Sequence, residues 1–325
     1  MASNVWDCDC GFIDSQDPTG STFTNFLAVD FTSISQNELD EIFIPATYKL
    51  HKNDAPFERH FSAEQLQLSE DGLHITVLPA SSQNHVPCGQ IFSRARTFFY
   101  GSYHARIRLT DVPGTVTAFF NYKADDSEID MEYVSAWAEP TLLYTVKPQI
   151  YTDRGNPENS TYARQPLSDA SAPSKRSVSE WSFVWVEDIV HFGIGNEYSH
   201  NITTNVPSAP GRLALNQWSD GNANYSLGPP REPSTTTVTS LWAVYNMTES
   251  SSLVCEKSTS ACTVTDGLFQ PSSGSGGNSG PDDGPVIDIN NAGGYISASS
   301  VPEPAVLHWS LALMFCYLLL YRRLL

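Results

Sequence analysis

At 325 residues, with 36 acidic against 18 basic side chains and a net charge of −18, the chain can hold one large all-β domain plus tails, and it would repel nucleic acid. Its eight histidines are dispersed, with no H-E-x-x-H spacing and no zinc-type Cys-His pairing, so neither a metal nor a cofactor is expected. Surface carboxylates are abundant enough to leave a structural calcium open, with Asp125-Asp126 read first as a solvated turn.

Met1 to Cys10 shows no basic start and no apolar core, so the signal peptide is missing from this chain and the true start is expected upstream. Further on, Leu73, Ile75 and Val77 alternate with His74 and Thr76. Tyr103, Ala105, Ile107 and Leu109 alternate likewise with His104, Arg106, Arg108 and Thr110, the period of half-buried strands. Pro113-Gly114, Pro210-Gly211 and Gly228-Pro229-Pro230 punctuate such runs, and no helical period precedes the tail. Residues 125–133 read Asp-Asp-Ser-Glu-Ile-Asp-Met-Glu-Tyr. That pattern predicts a strand over 127–134, sending Glu128, Asp130 and Glu132 to one face and Ile129, Met131 and Tyr133 into a core. Three like charges on one strand face are locally costly, which points to chemistry rather than to a solvated stripe.

Cleaving a glycosidic bond with retention needs one carboxylate to attack the anomeric carbon and a second carboxylic acid to protonate the leaving oxygen. Glu128 and Glu132 stand about 13 Å apart along an extended backbone, so their side chains must lean inward toward one bound sugar. Asp130 between them can tune the nucleophile, and the surrounding negative charge raises the acid.

The motif and its surroundings resemble glycoside hydrolase family 16, the endo-β-glucanases and wall transglycosylases built on a concanavalin A-like jelly roll. Gly89-Gln90-Ile91-Phe92-Ser93-Arg94 with Tyr100-Gly101-Ser102-Tyr103 is similar to the family's strands ahead of the active site. Gly114 to Tyr122 resembles the run into the catalytic strand, and Pro210 to Trp218 the strand carrying a sugar-binding Asn and Trp. The resemblance covers roughly residues 20–247. It implies a jelly-roll sandwich of two antiparallel sheets, Glu128 as nucleophile, Asp130 as its helper and Glu132 as general acid and base. It also implies a cleft lined by Phe120, Tyr122, Gln149, Tyr151, Asn216 and Trp218. One departure is Asp126, where many endo-glucanases of the family place Trp two residues before the nucleophile.

Trp181, Trp185 and Trp242 lie in strand-like runs and are expected in the core. Trp218 shares a strand face with Ala214 and Asn216, opposite Leu213 and Leu215, and is expected to face the cleft.

Sequons begin at Asn159, Asn201, Asn224 and Asn246. Cys8, Cys10, Cys88, Cys255 and Cys262 fit disulfides better than a metal or redox centre: Cys255 and Cys262 are expected to pair, and Cys88 to take Cys8 or Cys10. The expected organisation is an N-terminal segment at 1–19, the catalytic jelly roll at 20–250, a Cys-containing end segment at 251–265, a Gly/Ser/Asp-rich spacer at 266–304 and a hydrophobic tail at 305–325. Small residues at Asn291, Ala292 and Gly293, a polar spacer and an apolar terminus form the layout of a glycolipid-anchor signal. The rival is a single membrane span, which Arg322-Arg323 would suit as a cytosolic stop. Together these features place the protein outside the cell, anchored at the surface or wall of a fungus-like organism. Its expected activity is cleavage or transfer of wall β-glucan by double displacement; the alternative is an inactive glycan-binding lectin of the same fold.

Overall fold

The computed structural model describes residues 8, 10–167, 177–195, 197–247 and 261–265, together with the backbone of strand Tyr295–Ser299. Two nine-stranded, mainly antiparallel sheets dominate it. The first runs in the order Tyr162–Pro166, Thr141–Lys147, Ser127–Val134, Val116–Ala124, Arg212–Trp218, His85–Ser93, Glu58–Phe61, Lys49–Leu50, with Phe43–Pro45 also on His85–Ser93. The second runs Glu197–Ile202, Ile189–Ile194, Ser179–Val186, Gly101–Arg108, Ser234–Tyr245, Asn25–Asp30, Tyr295–Ser299, with Gly72–Val77 and Leu66–Ser69 branching from Ser234–Tyr245. The α-helix Gln36–Ile42 is short and closed by a capping box between Ser35 and Glu38. The period-2 reading of the sequence thus yields the expected jelly-roll sandwich.

The core lies between the sheets because the apolar members of each alternating strand meet there. Phe119, Ile129, Met131, Leu213 and Leu215 of the first sheet join Tyr103, Ile107, Trp181, Phe183, Trp185 and Leu241 of the second in one buried cluster. Phe119 and Phe183 bridge it with ring centroids 5.3 Å apart. The strand Ser127–Val134 has the expected bounds, and its odd-numbered side chains occupy this core, so the even-numbered carboxylates face the other way.

A third layer covers the outer face of the second sheet. Phe12–Asp14 pairs in parallel with Cys262–Val264, and Phe12, Phe23, Phe26, Trp242 and Val264 pack together there. Inside it, Asp14 accepts hydrogen bonds from Ser102 at 2.7 Å and from His104 at 2.9 Å. The His104 ring stacks on Trp242 at 3.7 Å, and its other nitrogen lies 3.1 Å from Glu180, which Arg106 pairs at 2.7 Å. Trp181, Trp185 and Trp242 are fully buried.

This layer corrects two expectations. Cys262 bonds Cys8, not Cys255, because the parallel pairing of Phe12 with Cys262 brings the two Cα atoms to 5.4 Å across a sequence separation of 254. Cys10 is disulfide-bonded as well, whereas Cys88 is a free buried thiol on the first sheet, donating to the carbonyls of Val86 and Ser219. The expected pairing of Cys88 with Cys8 or Cys10 is therefore wrong. Strand Tyr295–Ser299, within the stretch read as spacer, pairs with Asn25–Asp30. Cys255, the anchor-site residues Asn291, Ala292 and Gly293, and the tail 305–325 lie outside the described residues, among which no helix is long and apolar enough to cross a membrane.

Candidate active site

The site is set by register. Ser127–Val134 lies between Val116–Ala124 and Thr141–Lys147, which places Glu128 between Tyr122 and Lys147, Asp130 between Phe120 and Thr145, and Glu132 between Ala118 and Leu143. All three carboxyls share the face turned away from the core. Glu128 is 8% and Asp130 6% exposed, and Glu132 is half-buried.

Lys147 closes the group. Its Nζ donates to Glu128 Oε2 and stands 3.8 Å from Asp130 Oδ2. Burial pushes the Asp130 carboxyl well above the ordinary carboxylate range; the charges of Glu128 and Glu132 and a hydrogen bond with Glu128 add to this against the pull of Lys147. Glu132 is also raised by burial and by the Glu128 charge, while the Tyr225 hydroxyl that donates to its Oε2 and the Lys147 charge hold it down. Lys147 is raised in turn, since the charges of Asp130 and Glu128 outweigh its burial. The site therefore pairs Glu128 with an ammonium, beside two carboxyls that burial pushes above the ordinary carboxylate range. Carboxyls in unlike environments on one face are what acid and base roles require.

Tyr225 reaches Glu132 from the loop after Arg212–Trp218. Asp220, 2% exposed, organises that loop by accepting from Ser226 at 2.9 Å, from the Asn222 amide at 3.1 Å and from Arg59. The Arg59 guanidinium also lies 3.3 Å above the Trp218 ring. Gly114, at φ +102, lies tight against this loop: a Cβ there would stand 2.9 Å from Gly228 Cα.

The six residues assigned to the cleft divide into four groups. Phe120 and Asn216 lie on the carboxylate face at 5% and 7% exposure. Asn216 donates to Gln90 at 2.9 Å, and its Oδ1 is buried with no protein partner among the described residues. Tyr122 neighbours Glu128 but gives its hydroxyl to Asp125 at 3.0 Å. Trp218 shares the face, yet is 6% exposed under Arg59 and stacked beside Tyr225 at 6.0 Å, so it supports the site instead of offering an open ring. Tyr151 donates to Gln149 at 2.7 Å in a loop where Tyr151 is 56% exposed, and among the described residues neither is hydrogen-bonded to the carboxylates.

Lys147, Tyr225, Arg59 and Gln90 were not assigned from the sequence. Lys147 left a trace there: it ends the face Leu143, Thr145, Lys147 in a run with no other charged residue. Tyr225 left none, because a loop tyrosine has no period. Among the described residues no group of three or more His, Cys, Asp or Glu is arranged to hold a metal ion. Asn159, Asn201 and Asn224 are exposed, whereas Asn246 is half-buried and accepts from the Thr24 amide at 3.1 Å.

Comparison with known proteins bears on this geometry. The family model for glycosyl hydrolases family 16 matches residues 53–243. A beta-glucanase of Bacillus amyloliquefaciens is 25% identical over 186 residues, 55% of this chain and 72% of that protein. Among solved structures, a prokaryotic beta-1,3-1,4-glucanase (lichenase) from a mouse hindgut metagenome superposes with a TM-score of 0.54 at 17% identity, covering 69% of this chain and all of that one. The catalytic domain of an endo-1,3-beta-glucanase (laminarinase) from Thermotoga petrophila gives 0.54 at 15% identity, covering 66% and 95%. The Crh5 transglycosylase gives 0.50 at 18%, covering 68% and 84%. With the match to its model spanning more than half of the sequence and the acidic strand lying within it, this chain belongs to glycosyl hydrolases family 16.

Proposed function

We propose that the protein is a retaining glycosidase that cuts or transfers β-1,3- or mixed β-1,3-1,4-linked glucan, acting outside the cell on wall polysaccharide. The observation that carries the reading is the single face on which Glu128, Asp130 and Glu132 gather, with Lys147 donating to Glu128 and standing 3.8 Å from Asp130, and with burial raising both Asp130 and Glu132. Glu128 attacks the anomeric carbon, and Glu132 gives its proton to the leaving oxygen and then takes one from the acceptor. Asp130, bonded to Glu128, orients the attacking carboxylate. The relatives named as glucanases, laminarinase and transglycosylase support both the substrate class and the choice of water or sugar as acceptor. The sequons and the terminal apolar stretch support secretion and attachment to a membrane through a lipid anchor.

The test is stereochemical. Proton NMR of the first product from a β-glucan oligosaccharide should show the β anomer. With an activated aryl glycoside and azide, Glu128→Ala should give the α-glycosyl azide and Glu132→Ala the β-azide, because only the second variant still forms the covalent intermediate. An α first product overturns the mechanism. Binding of glucan without any turnover would make the protein a lectin.

A further inference from the structure

We propose that Lys147 decides which half of the double displacement is slow, by stabilising Glu128 as a free carboxylate and losing that partner once Glu128 is esterified to sugar. The inference rests on Glu128 being the nucleophile. Lys147 is directly opposite Glu128 in the strand register, donates to Oε2, and so touches the carboxylate that reacts. Asp130 stands farther off, at 3.8 Å, with its carboxyl pushed up by burial, and Glu132 acts on Lys147 less than either.

In the first step a Glu128 oxygen bonds to the anomeric carbon, the bond to the leaving oxygen breaks, and that oxygen takes the Glu132 proton. Negative charge passes from Glu128 to Glu132, and Lys147 is left beside a neutral ester. In the second step the acceptor hydroxyl attacks the same carbon, its proton goes to Glu132, and the bond to Glu128 breaks, returning the carboxylate to the ammonium. Lys147 therefore favours both free-enzyme ends of the cycle over the glycosyl-enzyme between them. It slows formation of the ester and speeds its breakdown, which keeps the intermediate scarce.

Lys147→Met keeps the length of the side chain and removes the charge. With 2,4-dinitrophenyl β-laminaribioside the leaving group needs no protonation, so the readout is insensitive to Glu132 in the first step. Acid-quenched mass spectrometry at steady state should show the ratio of glycosylated to free enzyme rising by about tenfold or more, the scale of a close charge pair, with a burst of dinitrophenol of about one equivalent. Lys147→Cys alkylated with 2-bromoethylamine restores an ammonium and should return the ratio toward that of the unmodified enzyme. Among the described residues the free thiol is Cys88, which does not compete because it is fully buried and burial pushes it up to about 12, and the unmodified enzyme treated with the same reagent controls for alkylation elsewhere. An unchanged ratio in folded Lys147→Met, or one that aminoethylation does not reverse, overturns the proposal alone. No dinitrophenol from the unmodified enzyme, or an inverted product, overturns the double displacement and this inference with it.

Discussion

Removing one oxygen from Tyr225 should extend activity to higher pH. In the folded protein the Tyr225 hydroxyl donates to Glu132 Oε2, and this hydrogen bond is the largest influence opposing the burial that raises Glu132. A hydrogen bond to a charged partner contributes about 1.5 to 3 kcal/mol, and 1.36 kcal/mol corresponds to one pH unit. Tyr225→Phe removes that support from the anion and little from the neutral acid. The alkaline limb of kcat/KM, which follows loss of the general acid's proton in the free enzyme, should move up by about one to two pH units. The ring remains, so its stacking beside Trp218 is kept and the loop stays in place. Stability carries the same sign. A carboxyl raised above its unfolded value contributes stability fully present below that unfolded value and lost as pH rises through the folded one, and the variant extends this window upward. The assay is a kcat/KM profile from pH 4 to 10 on one soluble oligosaccharide, beside urea denaturation at each pH. An alkaline limb that stays fixed or moves down in a folded variant refutes Glu132 as the acid that Tyr225 tunes.

Burial would lower the His104 imidazole, but the charge and hydrogen bond of Asp14, followed by Glu180, lift it to about 9 from the ordinary 6.5. Its stabilisation is thus fully present below pH 6.5 and lost as pH rises through about 9, a decline of about 3 kcal/mol that urea titrations should show; a flat profile across that window would refute it. Trp218→Ala should lower stability by about 3 to 5 kcal/mol and, by loosening Tyr225, reduce kcat more than it raises KM; an intact melting temperature with a purely raised KM would instead make Trp218 a sugar platform. If the anchor reading holds, a phosphatidylinositol-specific phospholipase releases the native protein from membranes, and retention with residues 305–325 detected by mass spectrometry favours a membrane span.

The sequence by itself determined the sandwich and the acidic strand, since period-2 alternation is a local property and inverting it would bury three carboxylates in the core in place of Ile129, Met131 and Tyr133. The carboxylate face of Phe120 and Asn216 was legible for the same reason, as was burial of Trp181, Trp185 and Trp242. Tertiary structure alone decided the electrostatics. Lys147 meets Glu128 only through cross-strand register, and Tyr225 meets Glu132 only because the Asp220-centred loop folds back over the sheet. It also decided that Cys8 bonds Cys262: the two are 254 residues apart, so proximity along the chain, which favoured Cys255, says nothing about which strands pair. Trp218 shows the same division, since alternation sets its face but Arg59, arriving from a distant strand, decides how much of its ring a sugar can reach. Strand periodicity records which way a side chain points, whereas its charge state and its open surface depend on groups that only the folded chain brings beside it.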